Sequence, residues 1–170
     1  MADMSSPSRH LLNLDTEVVP TGLASHLESY WSSVRRDRPM PARRDIDPAA
    51  LAKILPNVFM LDVVGQPPRF RWRLAGTRIV DMIRSEPTGK WLEPGNLAPG
   101  DAFLGFCRMT VSERRPTCHI ARWHDLDGRT KPLMRCMLPL SDDTGQLTML
   151  IGVIDFSPGQ IVMLHRRGAA

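Results

Sequence analysis

The chain has 170 residues, 42% of them hydrophobic and 24% charged, enough for one domain with its own core and too few for two ordinary domains. A net charge of +4 and a sequence pI near 9.4, from positive residues that are spread out, favour solubility over dedicated nucleic-acid binding. No apolar run approaches the ~20 residues needed to span a bilayer, and three cysteines with neither C-x-x-C spacing nor a preceding secretory signal imply a reducing cytoplasm.

Residues 1–22 mix Ser, Pro, Asp and Thr without a sustained period and are expected to be disordered or loosely draped. Leu23, Leu27, Tyr30, Trp31 and Val34 then form a stripe at helical spacing. Ser25 and Glu28 are placed for a capping box, Arg35 and Arg36 suit the end of the helix dipole, and Pro39 and Pro41 stop it. Asp47-Pro48 signals a short second helix, with Leu51, Ile54 and Leu55 on its apolar side before Pro56.

Two strands follow, Val58 to Val64 and Arg69 to Thr77, joined by the turn residues Gly65-Gln66-Pro67-Pro68. In the second, Phe70, Trp72 and Leu74 alternate with Arg69, Arg71 and Arg73, the pattern of a half-buried antiparallel strand. A four-residue loop sets Leu61 opposite Trp72, Val63 opposite Phe70 and Asp62 opposite Arg71, so every apolar residue meets an apolar partner and the acid meets a base. Asp62 is therefore read as structural.

Between Thr77 and Pro116 the pattern turns helical and broken. Ile79, Val80, Met82 and Ile83 form one short piece, Pro87, Gly89, Pro94, Gly95, Pro99 and Gly100 punctuate a loop, and Asp101 is placed to cap a longer helix that buries Phe103, Leu104, Phe106, Cys107 and Val111. A hairpin through Leu126-Asp127-Gly128 pairs Cys118 with Cys136 and Ile120 with Met134, leaving His119, Trp123, Lys131 and Arg135 on the other face. The next hairpin, at Asp142-Asp143-Thr144-Gly145, is expected to pair Cys136 with Ile151 and Leu138 with Met149. Leu147 to Phe156 is apolar on both faces, as befits a central strand, and Leu133, Met137, Leu150 and Ile154 are expected on the outer face beneath the first helix or a second copy of the chain. Residues after Pro158 read as a short helix or basic tail.

Two strands, a run of short helices and three strands in antiparallel hairpins is the order of elements in PAS domains. The local words match as well: Tyr30-Trp31, the segment Pro41-Ala42-Arg43-Arg44-Asp45-Ile46-Asp47-Pro48, Leu61-Asp62-Val63, Gly76-Thr77, Thr88-Gly89 and Leu138-Pro139-Leu140. The sequence resembles the alphaproteobacterial PAS-like family of small, often stand-alone proteins, over roughly residues 23–156. The resemblance implies an α+β fold, a five-stranded antiparallel sheet with short helices on one face and an N-terminal amphipathic helix, and a role in signal sensing or regulatory protein contact. It carries no catalytic or cofactor motif. The expected organisation is a disordered N-terminus over 1–22, a PAS-like domain over 23–156, and a tail or short helix over 157–170.

The candidate chemistry is sparse. A flavin-reactive cysteine needs an Asn-Cys-Arg-Phe-type motif, which Gly105-Phe106-Cys107-Arg108-Met109 lacks. The segment 101–115 holds no histidine for haem, so haem is not expected, with a Cys107 ligand as the alternative left open. Cys118 and His124 lie ~20 Å apart along one strand at ~3.3 Å per residue, and His119 points away from Cys118, so a four-ligand zinc site does not form. Cys118 and Cys136 are positioned for a disulfide if oxidised, but in a reducing compartment both read as small core residues. The arginines at 35, 36, 38, 43 and 44 read as a solvated face rather than an anion site, and no stacking aromatics are interleaved with them.

A ligand cavity, if the core is not simply filled, is expected to be lined by Phe70, Trp72, Met82, Phe103, Phe106, Ile120, Met134, Cys136 and Ile151. Leu23, Leu27, Tyr30, Trp31, Val34, Met137 and Leu150 are the expected partner or dimer surface. The function expected is a non-enzymatic cytoplasmic sensory module without its own output domain, contacting a regulatory protein or a second copy of itself and taking a small apolar ligand. The competing reading is an enzyme or small-metabolite carrier that uses the same cavity.

Overall fold

The computed structural model describes residues 16–94, 103–124, 127–159, 161 and 163–165. Residues 1–15, Gly95, Pro99, Gly100, the Asp101 cap, Leu126 and residues 166–170 lie outside them. Helix α1 spans Gly22–Arg35, and short 3-10 turns at Arg43–Asp45, Pro48–Leu51 and Leu55–Asn57 lead into the sheet. The signal at Asp47-Pro48 thus opens only a 3-10 turn, in which the Asp47 carboxylate accepts from Ala49 N at 2.9 Å. α1 begins after Thr21, whose carbonyl accepts from Ala24 and Ser25, so Ser25 lies inside the helix and caps nothing.

Strand β1 is Thr16–Val18, β2 Val58–Val64, β3 Arg69–Ala75, β4 Thr117–His124, β5 Thr130–Ser141, β6 Leu147–Asp155 and β7 Met163–His165. Helices α2 (Thr77–Ile83) and α3 (Phe103–Glu113) lie between β3 and β4 in the chain. The main sheet is antiparallel, with the order β3-β2-β6-β5-β4, so the doubly apolar β6 is central as expected. A separate pair, β1 with β7, joins Thr16–Val18 to Met163–His165. Residues 16–18, expected to be loose, and 163–165, expected as helix or tail, are therefore both strand, each supplying the ladder partner that the other lacks in its own sequence neighbourhood.

The β2–β3 register sets Leu61 opposite Trp72, Asp62 opposite Arg71 and Val63 opposite Phe70, as the alternation predicts. A bulge then shifts the pairing to Met60 opposite Leu74. One extra residue reverses the side to which everything beyond it points, so Leu74 leaves the face of Phe70 and Trp72 and is 38% exposed. On the far edge of β3, Trp72 N donates to Lys90 O at 2.9 Å, and Gly89 and Leu92 donate to the carbonyls of Trp72 and Phe70, so the Thr88-Gly89 segment closes that edge.

The β4–β5 register, Cys118 opposite Cys136 and Ile120 opposite Met134, is as expected. The β5–β6 register differs by two residues: Cys136 faces Val153 and Leu138 faces Ile151. A bulge at Leu140/Ser141 and the Asp142 carboxylate, which accepts from Thr144 N and Gln146 N, widen the loop.

The sheet has two covered faces. Because Met60 pairs with Ile151 and Leu61 with Leu150, Leu133, Arg135, Met137, Leu150, Gly152 and Ile154 share the interior face with Phe59, Phe70 and Trp72. Ile120, Met134, Cys136 and Ile151 lie on the opposite face, on the side of α1, which packs on β6 and β5. Alternation inside one strand cannot decide which of two apolar faces looks inward; the pairing between β2 and β6 decides it.

Candidate functional site

Helix α3 closes the interior face with an aromatic cluster. Trp72 stacks on Phe103 at 6.0 Å between centroids, and Phe59 meets both edge-on at 5.9 and 5.4 Å. Gly152 is the small residue that makes room: a methyl there would run into the Phe59 ring and come within 2.7 Å of the Cys136 carbonyl oxygen. Farther along α3, Cys107 Sγ lies 3.7 Å from Met137 Sδ. The Thr110 hydroxyl donates to Phe106 O at 2.9 Å and bonds to the Thr117 hydroxyl of β4.

Two polar side chains sit in this apolar setting. His119 and Arg135 face each other across the β4–β5 ladder and are only 5% and 6% exposed. Phe106 stacks flat on the His119 ring, and the Arg135 guanidinium lies 5.2 Å from the Phe103 centroid. Burial, reinforced by the Arg135 charge, pushes the His119 pKa well below the usual histidine range, so the imidazole is neutral. Its Nδ1 has no hydrogen-bond partner among the described residues. The neutral imidazole thus adds a polar contact, beside Arg135 and the Thr110 and Thr117 hydroxyls, to a wall that is mostly aromatic and aliphatic.

Of the expected pocket residues, Phe70, Trp72, Phe103 and Phe106 come together here, and Met82 of α2 packs against the same core. Ile120, Met134, Cys136 and Ile151 do not, because they point to the other side of the sheet. His119, Arg135, Met137 and Phe59 take their place. The His119/Arg135 pair is legible as the polar rungs beside Cys118/Cys136, but its inward direction follows only from the sheet order. Among the described residues, no three His, Cys, Asp or Glu side chains converge to hold a metal.

The expected partner surface also changes character. Leu27 and Trp31 are buried between α1 and the sheet, Leu23, Tyr30 and Val34 are half-buried, and Met137 and Leu150 face the interior. The helix covers its own sheet with the stripe that was expected to meet a partner. It is hooked there by the words that carry the family resemblance. Trp31 Nε1 donates to Pro139 O at 2.8 Å, and Ser141 N donates to Pro41 O at 3.0 Å. The Tyr30 hydroxyl donates to Asp45 O and accepts from Asp47 N at 2.8 Å. The Asp45 carboxylate accepts from Ala42 N at 2.7 Å and pairs with Arg38 at 2.6 Å; these hydrogen bonds and charges hold its pKa below the usual value against a desolvation that raises it. Arg44 pairs with Asp143 at 2.8 Å. Arg38 and Arg44, two of the five arginines of the basic run, are therefore paired here.

A sheet in the order β3-β2-β6-β5-β4, with short helices over one face, defines an α+β domain of PAS type. The family model described as PAS domain matches residues 21–155, and the chain belongs to that family. Solved structures with a similar fold include the PAS domain of Bordetella pertussis BvgS, at 23% identity over 66% of this chain and 87% of that one, with a TM-score of 0.48. The light-state Aureochrome1 LOV blue-light photoreceptor is similar at 16% identity over 63% of this chain and 85% of that one, TM-score 0.44. A variant of the fungal photoreceptor VVD is similar at 13% identity over 75% and 91%, TM-score 0.46. No curated protein sequence matches this chain. No helix among the described residues is long and apolar enough to cross a membrane.

Proposed function

We propose that this PAS domain is a regulatory module of the bacterial cytoplasm that passes a signal by contact with a signalling protein, and that its input is a small, largely apolar ligand received at the interior face. The reading assigns it no catalytic step. The observation that carries it is the double engagement of β5. That strand presents Arg135 and Met137 to the interior face, and farther along its Pro139 O accepts from Trp31 of α1 and its Ser141 N donates to Pro41 O in the segment that follows α1. A displacement of β5 from inside moves the backbone to which the helix is hooked. Two arrangements of α1 on the sheet are then the two signalling states, and a ligand shifts their populations by its differential affinity.

The exposed side of α1, with His26, Ser29 and Ser33, is the contact surface in this reading. A photo-crosslinking side chain placed at Ser29 in the native host tests it. The expected result is one discrete adduct with a signalling protein, lost when Ser33→Arg is added while the thermal midpoint is unchanged. Absence of any discrete adduct, with the protein folded and abundant, would overturn the contact reading. Native mass spectrometry of the purified protein tests the ligand: a non-covalent mass released on unfolding is expected, and a bare chain under gentle ionisation would contradict it.

A further inference from the structure

We propose that Cys118 and Cys136 form a thiol–disulfide exchange site for a low-molecular-weight couple of the glutathione type, and that its state sets how firmly the edge strand β4 is held. The two cysteines, expected as separate small core residues, are joined as a disulfide between directly opposite residues of β4 and β5, with Cα atoms 4.2 Å apart. That is about the spacing of a non-hydrogen-bonded pair, where opposed side chains come closest. The two sulfurs differ in access. Cys136 is fully buried in β5, whereas Cys118 is only partly buried on β4, a strand with a single neighbour in its sheet. Cys107 is buried on the interior face beside Met137, across the sheet from the pair, so it takes no part.

Access fixes the direction of the exchange. A thiolate RS⁻ attacks the Cys118 sulfur, the Cys118–Cys136 bond breaks, and the electron pair leaves on Cys136, which takes up a proton. A second thiolate attacks the R sulfur of the mixed disulfide, RSSR leaves, and the Cys118 sulfur is protonated. Overall two RSH become RSSR and the protein gains two electrons and two protons; the disulfide RSSR is the oxidant in reverse. Cys136 leaves as an anion in apolar surroundings, so the first step is slow.

The covalent tie lies between rungs that dock α3. Thr117, one residue before Cys118, bonds to Thr110, and His119, one residue after it, lies under Phe106. Opening the disulfide therefore loosens β4 together with the helix that closes the interior face.

The test equilibrates the full chain in glutathione buffers of graded poise, counts thiols after acid quench and denaturation, and follows hydrogen exchange. Three thiols are expected in the reduced chain and one in the oxidised chain, interconverting reversibly. Exchange in 117–124 and 103–113 should be roughly tenfold or more faster in the reduced form, because the cross-link removes loop-closure entropy from the open ensemble. Cys118→Ser should exchange like the reduced chain at every poise. Three thiols persisting in oxidised glutathione, unchanged exchange on reduction, or a Cys118→Ser variant as protected as the oxidised chain would each overturn the proposal.

Discussion

Replacing Gly76 by alanine isolates one geometric demand of the fold. Gly76 stands where β3 hands over to α2: its N–H donates to Val58 O at 2.8 Å, and its carbonyl accepts from Ile79 N at 2.9 Å and Val80 N at 3.1 Å. Its φ of −65° suits any residue, so the demand is for room. A methyl at this position would run into the main-chain carbonyls of Leu55 and Pro56. Those atoms belong to the 3-10 turn that feeds β2, and unlike a side-chain tip they cannot rotate aside. Overpacking in a core costs about 1–3 kcal/mol, and an unyielding backbone puts Gly76→Ala at about 3 kcal/mol or more. For a chain of this size each kcal/mol moves the melting midpoint by about 2–4 °C, so far-ultraviolet circular dichroism should show a fall of roughly 6–12 °C. Gly105→Ala is the control: it lies exposed within α3 with nothing within 4 Å of the added methyl, and should gain about 0.5–1 kcal/mol. A Gly76→Ala midpoint within about 2 °C of the parent would refute the close-approach argument.

Trp31→Phe keeps a ring in the core but removes the bond to Pro139 O, and urea titration should report a loss of about 1–3 kcal/mol; an unchanged midpoint would mean that the clasp does not hold α1. His119 is neutral in the fold and its pKa is lowered, so the unfolded chain binds the extra proton; stability is level above about pH 6.5 and falls below it, with a slope approaching about 1.4 kcal/mol per pH unit from this group. His119→Gln should remove that part of the slope between pH 6.5 and 5, and an identical pH profile would show that His119 titrates freely in the fold. Arg71→Ala breaks the 2.9 Å pair with Asp62, but the arginine side chain is 44% exposed, so the loss should stay below about 1 kcal/mol and shrink at high salt. A larger, salt-independent loss would contradict its scaffold role.

Local pairing was legible where residue chemistry was asymmetric. Asp62 needed Arg71, and a loop with Gly128 as its last residue set Cys118 against Cys136; both registers hold in the structure. The bulge that turns Leu74 outward leaves no comparable mark, since Arg73 and Leu74 continue the alternation unbroken. Faces were legible only where one side of a strand was polar. β5 and β6 are buried on both sides, so their pattern gives no direction, and the β2–β6 ladder sends Met134, Cys136 and Ile151, expected inward, to the side of α1. The same ambiguity hid His119 and Arg135, a polar pair expected to look away from the core. The words Tyr30-Trp31, Pro41 to Pro48 and Leu138-Pro139-Leu140, far apart in the chain, prove to be one hydrogen-bonded clasp, which no single stretch of sequence announces.

The claim on which the functional reading depends is that the interior face and α1 are coupled through β5. The Trp31 indole N–H, bonded to Pro139 O, reports the clasp as one assignable resonance, which Trp31→Phe identifies by its loss. Met137→Leu conserves volume at the interior face and lies on the same strand as Pro139. The account predicts that this substitution moves the Trp31 indole cross-peak together with those of the interior face. An indole cross-peak that stays in place while the interior resonances of β4, β5 and α3 shift would contradict it.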